Sequence, residues 1–256
     1  MYSAVLLKSD PQGEDERSEK PTDADNQQGS RRNLLLTPQR LHAELLVTSA
    51  TRMQAYLQGA LKDATRSAMH RTHRYGQSQR SWLETLQVVL GVLGHRSWIY
   101  REGRERNFWI LETSARFLSE AYEPTALSGT DEGLDYVRGY FDADGGMPRD
   151  PNARLYVQYA QKDRQSLEKV AKILASWEIE CGRIHNPSVE IDPNYWRFFV
   201  RAASHERFMK LVGSWHPIKR ALIETRMKIE STPHGDVGTN VNKVAVPEGA
   251  AGSPPF

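Results

Sequence analysis

The 256-residue chain has a single cysteine, Cys181. It can therefore build neither a disulfide framework nor a cysteine zinc site. It has no run of about 18 apolar residues, so an ordinary membrane-spanning helix is excluded. Its first thirty residues lack the basic-then-apolar order of a secretory leader. These absences point to an intracellular protein, in the cytoplasm of a prokaryote or phage host or else in an organelle. Large apolar side chains are almost missing from residues 8–33, which are rich in Asp, Glu, Gln, Ser and Gly. This composition predicts a disordered acidic leader over 1–33. Pro and Gly recur from Pro233 to the terminal Pro-Pro-Phe, predicting a disordered tail over 231–256.

The net charge of +2 conceals an uneven distribution. Residues 31–230 hold 30 of the 34 basic side chains and 23 of the 32 acidic ones. A basic body between acidic ends suits a polyanionic partner, although a mixed-charge solvated surface would look similar.

Between the two ends, the pattern of periodicities occurs twice. Residues 48–64 read as a helix, with Met53, Leu57 and Leu61 four apart. A basic stretch over 66–74 reads as a hairpin. Residues 80–93 carry a helical stripe of Trp82, Leu83, Leu86, Val89, Leu90 and Leu93. Residues 97–101 and 107–112 read as a hairpin around Glu102-Gly103-Arg104. A helical turn is expected over 115–121. The order then restarts with a helix over 131–143, a strand over 154–160 and a helix over 164–177. A hairpin of 183–191 with 195–201 follows, then helices over 205–229 broken at Pro217. The segments LETLQVVL (83–90) and LEKVAKIL (167–174) align, as do AYLQGAL (55–61) and DYVRGYF (135–141). The expected fold is α+β, with two pseudo-symmetric αββαββα repeats over 34–127 and 128–230.

The segment YVRGYFDADGG (136–146) carries the sharpest signal. Glycine inside a helix costs about 1 kcal/mol relative to alanine, so Gly139 needs a reason. Close approach by a second helix through the duplicated Gly59 supplies one. Asp142 and Asp144 then fall at the helix C-terminus, where a carboxylate opposes the macrodipole. Such a pair calls for a compensating cation, most simply a divalent metal ion. An EF-hand loop does not fit, because Met147 and Ala153 stand where Gly and Glu are required.

This segment resembles the signature helix of the LAGLIDADG homing endonucleases. Gly139, Phe141, Asp142, Ala143, Asp144 and Gly145 match it, and the duplicated order is that of the single-chain, two-repeat members. The resemblance implies a site-specific DNA endonuclease that hydrolyses phosphodiester bonds with Mg²⁺. It would act as a monomer with an internal pseudo-dimer on double-stranded DNA. Two signature helices would meet at the centre, and two antiparallel sheets would form a saddle on the duplex. Asp144 would be a metal ligand. Gln161, which also reads as a plain surface amide, would orient water. Lys219, which also reads as a surface lysine, would stabilise the transition state.

The first half departs from this pattern. Aligned on Gly59 without a gap, the Asp144 position falls on Ala64, and Asp63 lies one residue earlier. A one-residue deletion places Asp63 at the helix end as the second ligand. Gln77 lies six residues before Leu83, as Gln161 lies six before Leu167. Arg116 is the one conceivable counterpart of Lys219. A displaced Asp63 leaves open a nickase, or a DNA-binding regulator without catalysis. An intron RNA maturase using the same basic surface is a further alternative.

The strand segments supply groups suited to phosphates and base edges. In the first half these are Arg66, Arg71, Arg74, Tyr100, Arg101, Arg104 and Arg106, with His70 and His73 beside them. In the second they are Arg149, Arg154, Tyr156, Gln158, Arg183, His185, Asn186, Tyr195 and Arg197. Alternation places Arg154, Tyr156 and Gln158 on one side of their strand and Leu155, Val157 and Tyr159 on the other. A polar solvent face would give the same pattern. His70 and His73 lack a third ligand, so a metal pair there is not expected.

Overall fold

A computed structural model describes residues 38–103 and 106–231. The leader expected over 1–33 lies outside the described residues, as does nearly all of the tail expected over 231–256. The element order is α1 (Pro38–Leu46), α2 (Ala50–Ala60), β1 (Ala64–Ser67), β2 (Thr72–Gln77), α3 (Arg80–Val92), β3 (Ser97–Arg101) and β4 (Trp109–Thr113). It continues with α4 (Asp131–Asp144), β5 (Gly145–Gly146), β6 (Gln158–Gln161), α5 (Arg164–Ala175), β7 (Trp196–Phe199), α6 (His205–Leu211) and α7 (Pro217–Ser231). Two antiparallel sheets result, ordered β1-β2-β4-β3 and β5-β6-β7. No described helix is long and apolar enough to cross a membrane.

Helices α2 and α4 pack against each other along their length. Ser49 caps α2 by accepting from Arg52 N at 3.3 Å. Thr130 caps α4 by accepting from Gly133 N at 3.2 Å. The two glycines meet each other's backbone. A Cβ on Gly59 would fall on the carbonyl oxygen of Tyr136 and lie 2.8 Å from Tyr140 N. A Cβ on Gly139 would fall on the carbonyl oxygen of Tyr56 and lie 2.9 Å from Ala60 N. Near one end of the pair, buried Asp135 receives Arg52 Nε at 2.5 Å and also Arg138 Nη1. Arg138 continues to the carbonyls of Leu211 and Val212.

Each half has its own apolar core. Trp82, Leu83, Leu86, Val89 and Leu90 of α3 are buried with Tyr56, Tyr75 and Leu111. Leu167, Val170, Ile173 and Leu174 of α5 are buried with Tyr140, Phe141, Tyr159, Phe198 and Phe208. The duplication extends to single contacts. Tyr75 OH donates to Leu57 O, and Tyr159 OH donates to Val137 O. Arg80 lies over Trp109 at 4.7 Å and pairs with Glu84, while Arg164 lies over Trp196 at 5.0 Å and pairs with Glu168.

The halves also diverge from the expected repeat. The strand expected over 183–191 is reduced to isolated bridges, Cys181↔Val200 and His185↔Arg197. Pro187 and Pro193 cannot donate to a ladder, and the chain between them turns. The strand expected over 154–160 begins only at Gln158, and the helical turn expected over 115–121 is a series of turns. Helix α1 is not expected from the sequence. It buries Leu41 and Leu45 and joins the C-terminal segment through Glu44, which accepts from Trp215 Nε1 and Arg220 Nη1 at 2.9 and 2.7 Å.

Overpacking a helix crossing costs about 1–3 kcal/mol or more, so Gly139→Ala should lower unfolding stability by at least about 2 kcal/mol. Gly91 in α3 has open space around its Cβ position, so Gly91→Ala should stabilise by about 0.5–1 kcal/mol. Urea denaturation of the two variants checks both signs; equal effects would contradict the close crossing.

Candidate functional site

The α2–α4 pair delivers one carboxylate from each half at its C-terminal end. Helix α4 runs as α-helix to Asp144. Helix α2 instead ends in a 3-10 turn, Leu61–Asp63, closed by Ala64 N–H donating to Leu61 O. Three residues of 3-10 helix at about 2.0 Å rise advance as far as four α-helical residues at about 1.5 Å, and both make roughly one turn. Asp63, three residues after Ala60, thus reaches the axial level that Asp144 reaches four residues after Tyr140. The tighter turn absorbs the missing residue.

Each carboxylate meets a glutamine from the end of a strand. Gln77 Nε2 donates to Asp63 Oδ2, and Gln161 Nε2 donates to Asp144 Oδ2 at 2.7 Å. The Gln161 carbonyl oxygen accepts from Lys162 N at 2.7 Å, so both ends of that amide are engaged. Burial pushes Asp63 up to about 7; the charge of Asp144 adds to this, and Gln77 and Lys219 oppose it. Burial also raises Asp144, against Lys219, Lys62 and the Gln161 hydrogen bond.

The other carboxylate of the motif has a different place. Asp142 is buried and accepts from Tyr56 OH at 2.8 Å, Trp215 N at 2.9 Å, His216 N at 3.0 Å and Ser214 Oγ. It holds the segment that leads into α7. From α7, Lys219 Nζ donates to Phe141 O at 2.5 Å, Gly145 O at 2.7 Å and Asp142 O at 3.0 Å. Those are carbonyls at the α4 C-terminus, where helix carbonyls run out of intrahelical donors; Phe141 O also accepts from Gly145 N. The sequence reading needed a cation against the macrodipole there, and Lys219 itself supplies one. Burial lowers the Lys219 ammonium to about 8, and Asp142, Asp144 and Asp63 hold it up.

Residues 131–213 match the family described as LAGLIDADG-like domain. The match falls on the second half of the chain and takes in the whole of α4. No curated protein matches it by sequence. Among solved structures it is similar to the homing endonuclease I-DmoI in complex with DNA and Ca, with TM-score 0.53 and 14% identity over 69% of this chain and 98% of that one. It is also similar to full-length DUF199/WhiA from Thermatoga maritima, with TM-score 0.54 and 17% identity over 79% of this chain and 69% of that one. The N-terminal LAGLIDADG domain of DUF199/WhiA gives 0.52 and 17% over 70% and 95%. These likenesses show the fold, an α+β LAGLIDADG architecture.

Within this LAGLIDADG fold, sheet register assigns a face to each expected DNA-binding residue. Arg74, Glu112 and Trp98 stand in one row, and buried Tyr75 and Leu111 with half-buried Ile99 form the next row on the core side. Arg74 therefore faces away from the core, with Tyr100 on the same face. Arg74 Nη2 donates to Tyr100 OH at 3.0 Å and pairs with Glu102 at 3.2 Å, and Tyr100 OH donates to Glu112 at 3.0 Å. Arg66 opposes His73 and so lies on the other face. Arg71 is at the hairpin tip, and Arg101 Nε donates to Arg106 O at 2.9 Å. Arg104 lies outside the described residues.

In the second half Arg149, Arg154 and Arg183 are exposed, and Tyr195 is half-buried. Tyr156 meets Phe199 edge-on at 6.2 Å, and Phe199 is opposite Gln158. Arg197 lies over the Phe199 ring at 5.3 Å, and His185 stacks on it at 6.4 Å. Asn186 is engaged within its own loop, donating to Asp192 O and accepting from Ser188 N. The sequence reading missed Trp98 and Phe199. Trp98 is 45% exposed two residues before Tyr100, so the alternation that placed Tyr100 also marks it.

Asp63 and Asp144 fit a divalent cation. They are oxygen donors, mutually repelling and desolvated, and each has one oxygen held by an amide. Among the described residues no group of three or more His, Cys, Asp or Glu could hold a metal ion. Mg²⁺ sites commonly use one or two carboxylates and complete the shell with water and substrate phosphate.

The raised Asp63 carboxyl fixes a sign for stability. Between about pH 4 and about 7 the unfolded chain has released this proton and the folded chain keeps it. Stability of the metal-free protein should therefore fall as pH rises across that window, by at most about 1.4 kcal/mol per pH unit for this group. Asp63→Asn should gain stability over wild type between pH 5 and pH 8 in chelator. Urea midpoints at the two pH values check this, and parallel shifts would contradict a desolvated Asp63.

Proposed function

We propose that the protein is a site-specific DNA endonuclease that hydrolyses phosphodiester bonds with Mg²⁺ and works as a monomer on double-stranded DNA. One observation carries the reading. Two helix-end carboxylates, one from each half, are each oriented by a strand-end glutamine at the end of a glycine-mediated helix crossing.

Asp63 and Asp144 would hold the cation. When bound, it supplies Lewis-acid polarisation of the scissile phosphate and neutralisation of developing charge. Gln77 and Gln161 fix the direction of each carboxylate by occupying Oδ2, which leaves Oδ1 as donor. Lys219 fixes the end of α4 through three carbonyls and keeps positive charge beside both carboxylates. The outward rows of the two sheets, with Arg74 and Tyr100 in one and Tyr156, Gln158 and Arg197 in the other, would lie on the duplex.

A DNA-binding protein without cleavage is the second reading. The observation in its favour is Asp63, whose carboxyl at about 7 is about half protonated near pH 7 without a metal.

Incubation with a randomised duplex library, with and without Mg²⁺, separates the two. Cleavage dependent on Mg²⁺ is the expected result; retention of specific duplexes without cuts would establish the second reading. Asp63→Asn and Asp144→Asn should each slow cutting of one strand by on the order of 100-fold, the scale for removing one electrostatic stabiliser. Strand-specific labelling reads this out. An Asp63→Asn protein that cuts both strands at the wild-type rate would remove Asp63 from the site.

A further inference from the structure

We propose that the first half carries a second anion site behind its sheet, built for a ligand bearing phosphate esters. A cavity of about 760 Å³ opens there, lined by Arg66, His70, Arg71, His73 and Arg116. Glu120 is the one acidic residue lining it. Arg66, Arg71 and Arg116 form no ion pair with any of the described residues. Guanidinium forks without carboxylate partners, converging on one concavity, are the chemistry that recognises phosphate oxygens.

Its position separates it from the face proposed for the duplex. The register pairs Arg66 with His73 and Arg74 with Glu112 in adjacent rows, and adjacent rows point to opposite sides of a sheet. The cavity is on the side of Tyr75 and Leu111, at the outer edge of the core. His73 is only 7% exposed, and burial lowers its imidazole, so it offers a neutral ring. Arg71 is held at φ 52°, an uncommon conformation for a residue with a side chain, at the cavity rim.

The second half shows why the space exists. There the chain after β7 winds into α6, and Phe208 packs edge-on against Phe141 at 5.2 Å. In the first half the chain after β4 forms no helix over 114–121, and this segment lines the cavity together with residues of the β1–β2 hairpin. Its size suits a nucleotide or a short stretch of phosphodiester backbone. The inference does not depend on nuclease activity, because the readout is binding of small anions.

Isothermal titration of the full chain with inorganic pyrophosphate, ATP and a short single-stranded oligonucleotide tests the site. Wild type should bind pyrophosphate, and the double variant Arg66→Gln/Arg116→Gln should bind it at least about tenfold more weakly. Both arginines are exposed, and circular dichroism verifies the fold of the variant. ATP or the oligonucleotide binding more tightly than pyrophosphate identifies the source of the phosphate, and either outcome supports the site. No binding of any of the three, or equal affinity in the double variant, overturns it. Loss of pyrophosphate binding in the presence of a saturating random-sequence duplex would assign the cavity to the DNA face and overturn its separateness.

Discussion

The structure depends on the contact between the backbones of α2 and α4. Side chains normally keep helix axes about 8–10 Å apart. Here Gly59 and Gly139 let each helix meet the carbonyl oxygen of the other, at Tyr136 and Tyr56. The contact is reciprocal, so it fixes both translation and rotation of the pair. The buried Asp135 with Arg52 and Arg138 holds it at one level, and the Asp142 cluster holds it at another. A carboxylate on the last residue of each helix then has little freedom in position.

The two helix ends are equivalent in place but not in construction. The α4 end is held from outside by Lys219, which bonds three of its terminal carbonyls and offsets its dipole. The α2 end tightens into a 3-10 turn that closes on itself. Asp63 therefore sits without an ammonium bonded to its own helix end, and desolvation raises it strongly. The pseudo-symmetry of position is bought with an asymmetry of electrostatics.

The sheets differ in a similar way. The outward row of the first sheet is a closed polar network, in which Arg74 bonds Tyr100 and Glu102 and Tyr100 bonds Glu112. The outward row of the second is aromatic and basic, with Tyr156, Phe199, His185 and Arg197 in mutual contact. A partner lying across both would meet two different chemistries, which gives a single chain a direction that a symmetric dimer lacks.

The sequence by itself determined the elements whose signal is local. Apolar stripes at 3.6-residue spacing set α3 and α5, and the repeated glycine with the repeated Gln-to-Leu spacing set the duplication. Burial along 154–159 follows the alternation even where the regular ladder begins only at Gln158. Tertiary structure decided what spacing cannot encode. Asp142 and Asp144 are chemically identical and two residues apart, yet helix rotation turns one into the Ser214–His216 segment and the other toward Asp63. Whether Arg66 and Arg74 share a face depends on strand register, fixed by a hairpin tip that composition alone does not locate. Helix α1 is held by Glu44 against residues more than 170 positions away, and no local pattern records such a partner. Local periodicity reports which side of an element is apolar; only packing reports what that side, or its opposite, will meet.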